Sequence, residues 1–125
     1  MTMQALISIV DDDESSRRAI ANFINSLGYA AVAFGSAEDF LKSGRLDSTA
    51  CLISDVQMPG MSGIELQDRL LARGYRLPII FITAYPEASA RERALASGAS
   101  GFLIKPFNEE KLICHLDEVL AESKA

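Results

Sequence analysis

Five reactive side chains of this sequence stand at the ends of short apolar runs. Asp11 and Asp12 follow a β-branched run near the N-terminus, and Asp55 follows a second apolar run in the middle of the chain. Thr83 ends a third run, and Lys105 directly follows a fourth. In open α/β sheets, ligands bind at the edge where the carboxyl ends of the strands meet. We therefore expect these five side chains to share one site.

Three carboxylates in one site repel one another and raise one another's pKa unless a cation compensates them. Mg²⁺ is a suitable cation, because it binds oxygen ligands and typically takes one or two carboxylates while keeping several waters. Lys105 adds a positive charge that could pair with Asp55 or with a phosphoryl group attached to it, and Thr83 adds a hydroxyl donor. Because an ionised aspartate can itself be a nucleophile, this set of groups fits phosphoryl transfer.

The apolar runs alternate with segments of helical periodicity, which predicts a repeated strand–helix pattern. The predicted strands are residues 6–10, 30–34, 51–53 leading to Asp55, 78–83 and 101–104. This alternation favours an α/β fold, a doubly wound five-stranded parallel sheet with helices on both faces. In the flavodoxin-like strand order 2-1-3-4-5, the topological switch point lies between the first and third strands. Those two strands carry the carboxylates.

Local signals place the helices between these strands. Ser62-Gly63-Ile64-Glu65 has the capping-box pattern that begins a helix after the Asp55 loop. Pro86 suits the first turn of the fourth helix, and Asn108 can cap the last one. Apolar residues at helical spacing are expected to face the sheet: Ile20, Phe23, Ile24, Leu27, Phe40, Leu41, Leu66, Leu70, Leu71, Leu112, Leu116, Val119 and Leu120.

Composition indicates one globular domain, residues 1–125, with 49% hydrophobic residues. No apolar run approaches the ~20 residues of a membrane span, and the N-terminus lacks the basic segment of a signal peptide. The net charge is −5 without a basic cluster, so we expect no direct nucleic-acid binding by this chain and no membrane contact. Cys51 is expected to be buried in a strand and Cys114 to lie off the apolar stripe of a helix, which favours a reducing cytoplasm.

Four short motifs occur in one order along the chain: Val10-Asp11-Asp12, Asp55-Val56-Gln57-Met58-Pro59-Gly60, Ile82-Thr83-Ala84 and Lys105-Pro106-Phe107. In identity, order and approximate spacing they resemble the receiver domain of two-component response regulators, and the resemblance covers essentially the whole chain. The sequence is most similar to receivers of nitrogen-fixation-type transcriptional regulators.

The resemblance implies a metal-dependent phosphoacceptor site. Asp55 would accept a phosphoryl group from the phosphohistidine of a sensor histidine kinase or phosphotransfer protein. Asp12, Asp55 and the backbone carbonyl of Gln57 would bind Mg²⁺ directly, whereas Asp11 would act mainly through metal-bound water.

The resemblance also implies a conformational switch. Thr83 and Lys105 would hold the phosphoryl group, and the Lys105–Pro106 peptide bond would be cis. Drawing Thr83 inward would make room for Phe102 to turn inward, although Phe102 stands where many family members have Tyr and could also be a plain core residue. Tyr85 lies at a variable position thought to tune hydrolysis.

Partners follow from the same resemblance. The first helix would dock the kinase, and the face formed by the fourth helix, the fifth strand and the last helix would bind an output domain or partner protein, or form a homodimer on phosphorylation. The protein would be a signalling switch rather than an enzyme with its own substrate, because it would catalyse only its own phosphorylation and dephosphorylation.

Three other functions share parts of this pattern. An aspartyl phosphatase usually has a second Asp two residues after the nucleophile, but Gln57 occupies that position and cannot transfer a proton. A phosphorylation-independent binding module would be expected to lack an acid, the Thr or the Lys, and none is missing. A flavin-binding domain of the same topology would need a phosphate-binding loop after the first strand, where Asp11-Asp12-Asp13 would repel phosphate.

Some charged residues near the motifs are expected to have structural roles only. Asp13 and Glu14 suit the first turn of a helix, where the macrodipole favours acids. His115 lies beside Lys111 and Glu118 on a charged predicted helix face, so we expect a solvated surface residue without a role in phosphotransfer.

Overall fold

The structure is a computed structural model that describes residues 5–123. In this part of the chain five strands alternate with five helices: β1 Leu6–Val10, α1 Glu14–Ser26, β2 Ala30–Phe34, α2 Ala37–Lys42, β3 Thr49–Ser54, α3 Gly63–Ala72, β4 Ile79–Thr83, α4 Ala88–Ala96, β5 Gly101–Ile104 and α5 Glu109–Ser123. Every predicted strand and helix is present in the predicted order. The largest difference in a strand boundary is that β3 begins two residues before the predicted start.

The five strands form one parallel sheet in the order β2-β1-β3-β4-β5, which confirms the predicted doubly wound fold. β1 and β3 are neighbours, with Val10 opposite Ser54 at their carboxyl ends. At the other end of the same edge, Thr83 of β4 is opposite Ile104 of β5. Residues that follow these four strands therefore meet at one edge of the sheet.

Two apolar cores cover the two faces of the sheet. One contains the buried residues of α1 and α5 packed on the strands: Ile20, Ile24, Leu112, Leu116 and Val119. The other contains buried residues of α2, α3 and α4: Phe40, Leu66, Leu70 and Ala94. Between residues 5 and 123, none of the helices is long and apolar enough to cross a membrane.

The helix starts near the sheet edge are fixed by side-chain caps. Ser62 Oγ accepts from the Glu65 N–H at 3.1 Å and Glu65 Oε1 accepts from the Ser62 N–H at 3.3 Å, which confirms the capping box. Asn108 Oδ1 accepts from the Lys111 N–H at 3.0 Å, as predicted. α4 differs, because its N-cap residue Glu87 makes no side-chain cap bond. Among these helices α4 therefore begins with the least local support.

Three local predictions were wrong. Leu71 is 43% exposed, because it lies about 100° around α3 from Leu70, and Leu70 is the one that faces the sheet. Pro86 lies in the loop before Glu87 rather than in the first turn of α4. His115 is half-buried rather than solvated, because its ring packs against Gly101 of β5: a Cβ at Gly101 would lie 2.9 Å from His115 Nδ1.

Candidate functional site

Three carboxylates lie together at the carboxyl ends of the central strands. The backbone of Asp11 is held by its N–H bond to Phe34 O at 3.1 Å, and that of Asp55 by its N–H bond to Val10 O at 2.9 Å. One carboxylate oxygen each from Asp11, Asp12 and Asp55 lies within 4.8 Å of the others. Asp11 is 1% exposed and Asp55 is 8% exposed, whereas Asp12 is open to solvent. The fold thus brings together three acids that are up to 44 positions apart in the chain.

Lys105 reaches two of these carboxylates from the end of β5. Its Nζ donates to Asp11 Oδ2 at 2.9 Å and to Asp55 Oδ2 at 3.0 Å. Its backbone N–H donates to Thr83 O at 2.8 Å, and the peptide bond to Pro106 is cis. Burial lowers the pKa of the Lys105 ammonium, but the hydrogen bonds and charges of Asp11 and Asp55 outweigh burial and raise that pKa above its ordinary value. Lys105 is therefore a charged group at neutral pH.

Asp55 is less well compensated than Lys105. Burial raises the pKa of Asp55, and the hydrogen bond and charge of Lys105 oppose that change, while the charge of Asp11 adds to it. The net result is a pKa above the ordinary value of 3.8. Burial of the Asp55 carboxylate, together with the charge of Asp11, therefore disfavours its ionised form more than Lys105 favours it.

The chemistry of this donor set fits Mg²⁺. Three ionised carboxylates and one ammonium have a summed charge of −3 + 1 = −2, which a divalent cation would balance. All the side-chain donors are hard oxygens of the kind that Mg²⁺ prefers. Gln57 lies two residues beyond Asp55 in the loop after β3, and its carbonyl accepts no backbone hydrogen bond within residues 5–123. That carbonyl is therefore available as a further oxygen donor.

Thr83 ends β4 and Phe102 lies on β5, the two strands that follow β3 in the sheet order. Thr83 is fully buried, and its Oγ1 accepts from the Tyr85 N–H at 3.1 Å. Among the described residues the Thr83 hydroxyl donates no hydrogen bond, so its proton is available to a new acceptor. Phe102 is half-buried, and its ring packs on that of Phe81 with centroids 6.3 Å apart.

The turn after Asp55 is held by its backbone. The Gly63 N–H donates to Val56 O at 2.8 Å, and Ser54 Oγ donates to Asp55 O at 2.8 Å. A Cβ at Gly63 would lie 2.1 Å from Asp55 O and 3.1 Å from the Phe81 ring, so only glycine fits there. The sequence identified Gly63 as part of a helix start, but this close approach depends on the neighbouring strand and could not be predicted from the motif.

Two charged side chains that the sequence did not identify touch the loops of the site. Arg17 Nη1 donates to the backbone carbonyl of Asp11 at 2.8 Å. Glu38 lies against the β3–α3 loop, with its Oε2 2.8 Å from where a Cβ at Gly60 would be. Glu38 Oε1 is buried and has no hydrogen-bond partner among the described residues. The available signal was their position in the first turns of α1 and α2, close to the sheet edge.

Comparisons with known proteins agree on one family. The model of the response regulator receiver domain matches residues 7–117. Nodulation protein W of Bradyrhizobium diazoefficiens is 41% identical over 121 residues, which are 97% of this chain and 52% of that protein. The transcriptional regulatory protein FixJ of the same species is 32% identical over 124 residues, which are 99% of this chain and 60% of that protein. The chain thus spans roughly half the length of these relatives.

Solved structures lead to the same family. The response regulator StyR superimposes with a TM-score of 0.88 at 39% identity, over 98% of this chain and 63% of that one. A response regulator receiver protein from Burkholderia phymatum superimposes with a TM-score of 0.80 at 43% identity, over 94% of this chain and 96% of that one. The chain therefore belongs to the response regulator receiver domains, a family whose general function is to be phosphorylated on an aspartate by kinases.

Proposed function

We propose that Asp55 is the phosphoacceptor of this receiver domain and that residues 1–125 form a single such domain. The supporting observation is that Asp55 contacts Lys105 Nζ directly and, at 8% exposed, is more accessible than Asp11, the other acid that contacts Lys105. Asp11 also contacts Lys105, but it is almost fully buried, and its carboxylate already accepts from the Asp13 N–H at 2.9 Å. Asp12 is exposed, and among the described residues it forms no hydrogen bond or ion pair with Lys105.

The proposed reaction is a substitution at phosphorus. A carboxylate oxygen of Asp55 attacks the phosphorus of a phosphohistidine while the P–N bond breaks, and the imidazole leaves with the electron pair and takes up a proton. Lys105 is positioned to pair with the phosphoryl oxygens, because its Nζ already lies 3.0 Å from Asp55 Oδ2. Thr83 can donate its free hydroxyl proton to another of them. These contacts stabilise the charge of the transferred group.

Asp11, Asp12 and Asp55, with the carbonyl of Gln57, would hold the magnesium ion. When bound, Mg²⁺ would neutralise charge on the phosphoryl oxygens. The buried carboxylate of Asp11 is tied to Lys105 and to the Asp13 N–H, so it is less free to move than Asp12. We therefore assign direct binding to Asp12 and Asp55 and a role through metal-bound water to Asp11.

We infer a signalling switch rather than an enzyme with an independent substrate. A phosphatase of this type needs an acid/base group near the nucleophile, but the exposed side chain of Gln57 is an amide that donates to Glu87 Oε1 at 3.4 Å. An amide cannot shuttle a proton at neutral pH. The domain would thus catalyse only its own phosphorylation and the hydrolysis that ends the signal.

The signal would leave the site through Thr83 and Phe102. Response regulator receivers interact with histidine kinases and output domains. We propose that a sensor histidine kinase or phosphotransfer protein docks at α1. An output domain, a partner protein or a second copy of the chain would then bind the face of α4, β5 and α5.

A reducing cytoplasm fits the free thiols of Cys51 and Cys114.

Intact-mass measurement after incubation with acetyl phosphate and Mg²⁺ tests the proposal. The wild type should gain one base-labile phosphoryl group, whereas Asp55→Asn should gain none because an amide is not nucleophilic. Asp47→Asn is the matched control, because Asp47 is exposed and should label as the wild type does. Labelling of Asp55→Asn to the wild-type level would refute the assignment, and a chelator should prevent labelling without unfolding the domain.

A further inference from the structure

Arg17 ties the first helix to the loop that carries two of the acids. It lies in the first turn of α1 and is half-buried. Its Nη1 donates to the backbone carbonyl of Asp11 at 2.8 Å and lies 3.6 Å from where a Cβ at Gly35 would be. The guanidinium therefore fills the space between the loop after β1 and the turn after β2.

The Asp11 carbonyl has no other donor in the described part of the chain. The last backbone bond between β1 and β2 on this side runs from the Asp11 N–H to Phe34 O, and β2 ends at Phe34. The chain then turns at Gly35, so no backbone N–H beyond the end of β2 donates to the Asp11 carbonyl in the described part of the chain. A carbonyl at a residue that is 1% exposed is costly to leave unpaired, and Arg17 supplies its partner.

The orientation of Asp12 depends on that same peptide unit. Asp11 has its carboxylate fixed by Lys105 and by the Asp13 N–H. Asp12 is exposed, and its side chain makes no hydrogen bond or ion pair among the described residues. No side-chain partner in this part of the chain holds its carboxylate, so the position of that carboxylate depends on the backbone that carries it, and the peptide that joins Asp12 to Asp11 contains the carbonyl that Arg17 holds.

We propose that Arg17 is a positioning residue for the divalent-cation site: it fixes the Asp11–Asp12 peptide so that the Asp12 carboxylate faces Asp11 and Asp55. The inference rests on the proposed metal site, and it assigns a role to a side chain that is not itself a ligand. Partners that orient metal ligands commonly affect metal affinity strongly. The proposed effect on Mg²⁺ affinity comes from a single hydrogen bond, the one that the charged Arg17 side chain donates to the Asp11 carbonyl.

Titration with Mg²⁺ alone, followed by the amide NMR shifts of Asp12 and Val56, measures the expected loss of affinity. Arg17→Met keeps the side-chain stem but removes the donor, and its Kd for Mg²⁺ should rise about tenfold. Arg17→Lys can still donate to the carbonyl and should recover most of the affinity. Arg18→Met is the matched control, because Arg18 is exposed and pairs with Glu14 on the same helix, so its Kd should equal that of the wild type.

Amide hydrogen exchange in the metal-free protein separates this inference from the proposed metal site. Exchange at Asp13, whose N–H donates to Asp11 Oδ1, should be faster in Arg17→Met than in the wild type and unchanged in Arg18→Met. If the wild type binds no Mg²⁺, the metal site is wrong, and the exchange rates still decide whether Arg17 holds the loop. A folded Arg17→Met with wild-type Kd and wild-type exchange would overturn the inference, as would an Arg17→Lys as weak as Arg17→Met. If Arg17→Met does not fold, Arg17→Gln, which is too short to reach the carbonyl, replaces it in both assays.

Discussion

Lys105→Met should destabilise the metal-free protein by about 3 kcal/mol. Lys105 Nζ lies 2.9 Å from Asp11 Oδ2 and 3.0 Å from Asp55 Oδ2. At an effective dielectric constant of about 20, each pair contributes roughly 5.5 kcal/mol of Coulomb attraction. The cost of burying the charges offsets much of that gain, and removing one partner of a buried pair typically costs about 3–5 kcal/mol. The low end applies here, because the Lys105 side chain is 18% exposed and water can enter the space it leaves.

Urea unfolding at pH 7 in the presence of a chelator measures this loss. Methionine keeps an unbranched stem of similar length, so the change removes the charge with little change in packing. Lys111→Met is the matched control, because Lys111 is exposed on α5 and the change in net charge is the same. A Lys105→Met protein as stable as Lys111→Met would refute the claim that Lys105 compensates two buried carboxylates.

A second measurement uses the same variants with Mg²⁺. Without the ammonium, no positive charge beside Asp11 and Asp55 repels a cation and the two carboxylates lack a counter-charge, so Mg²⁺ should bind Lys105→Met more tightly than the wild type. Because a ligand stabilises the folded state according to its concentration relative to Kd, the increase in unfolding free energy on adding Mg²⁺ should be larger in Lys105→Met. Equal increases would mean that the metal does not bind next to Lys105.

Two further variants test the charge and the relay of the site. In the metal-free protein, Asp55→Asn should be more stable than the wild type at pH 7. The pKa of Asp55 is raised in the folded state, so between pH 3.8, its ordinary pKa, and the raised pKa the folded protein binds more protons than the unfolded protein. The unfolding free energy of the wild type therefore falls as the pH rises through this window. In urea unfolding, the gain in stability of Asp55→Asn over the wild type should vanish below pH 3.8, the ordinary pKa of Asp55. The absence of a gain at pH 7 would contradict the argument. Thr83→Ala should still accept phosphate, because Asp55 and Lys105 remain, but it should lose most of the phosphorylation-dependent gain in partner or dimer Kd, a coupling of about 1–3 kcal/mol. A full gain in that binding assay would exclude the Thr83 hydroxyl as the relay.

The fold could be predicted from the sequence because local and long-range signals agree. Four of the five apolar runs stop at a polar residue, and the helices after β3 and β5 begin with the capping patterns of Ser62–Glu65 and Asn108. Parallel strands need crossover connections, so the alternation of strands and helices leaves few possible arrangements. The same logic identified Asp11, Asp12, Asp55 and Lys105 as neighbours, because strand ends of a parallel sheet share an edge.

Two of the wrong predictions, those for Leu71 and His115, share a physical origin in the rotation of helices and their packing on the strands. Periodicity assigns an apolar stripe to α3, but it does not decide between the adjacent Leu70 and Leu71. His115 looked exposed because its helix neighbours are charged, yet β5 presents a glycine opposite it, and the ring packs into the space that Gly101 leaves. A single helix does not reveal which strand residue it will meet.

The residues that the sequence missed at the site differ in kind from those that it found. Asp11, Asp55 and Lys105 act through the ends of their side chains, and those ends carry chemistry that residue type and position reveal. Arg17 contacts the backbone carbonyl of Asp11, and Gly63 makes room for the backbone carbonyl of Asp55. The Asp11 carbonyl lacks a backbone donor because the neighbouring strand β2 ends at Phe34. The Asp55 carbonyl is crowded because the turn that follows brings Gly63 close to it. The sequence therefore identifies the reactive groups of such a site. The residues that hold the backbone of those groups in place are identified only from the three-dimensional structure.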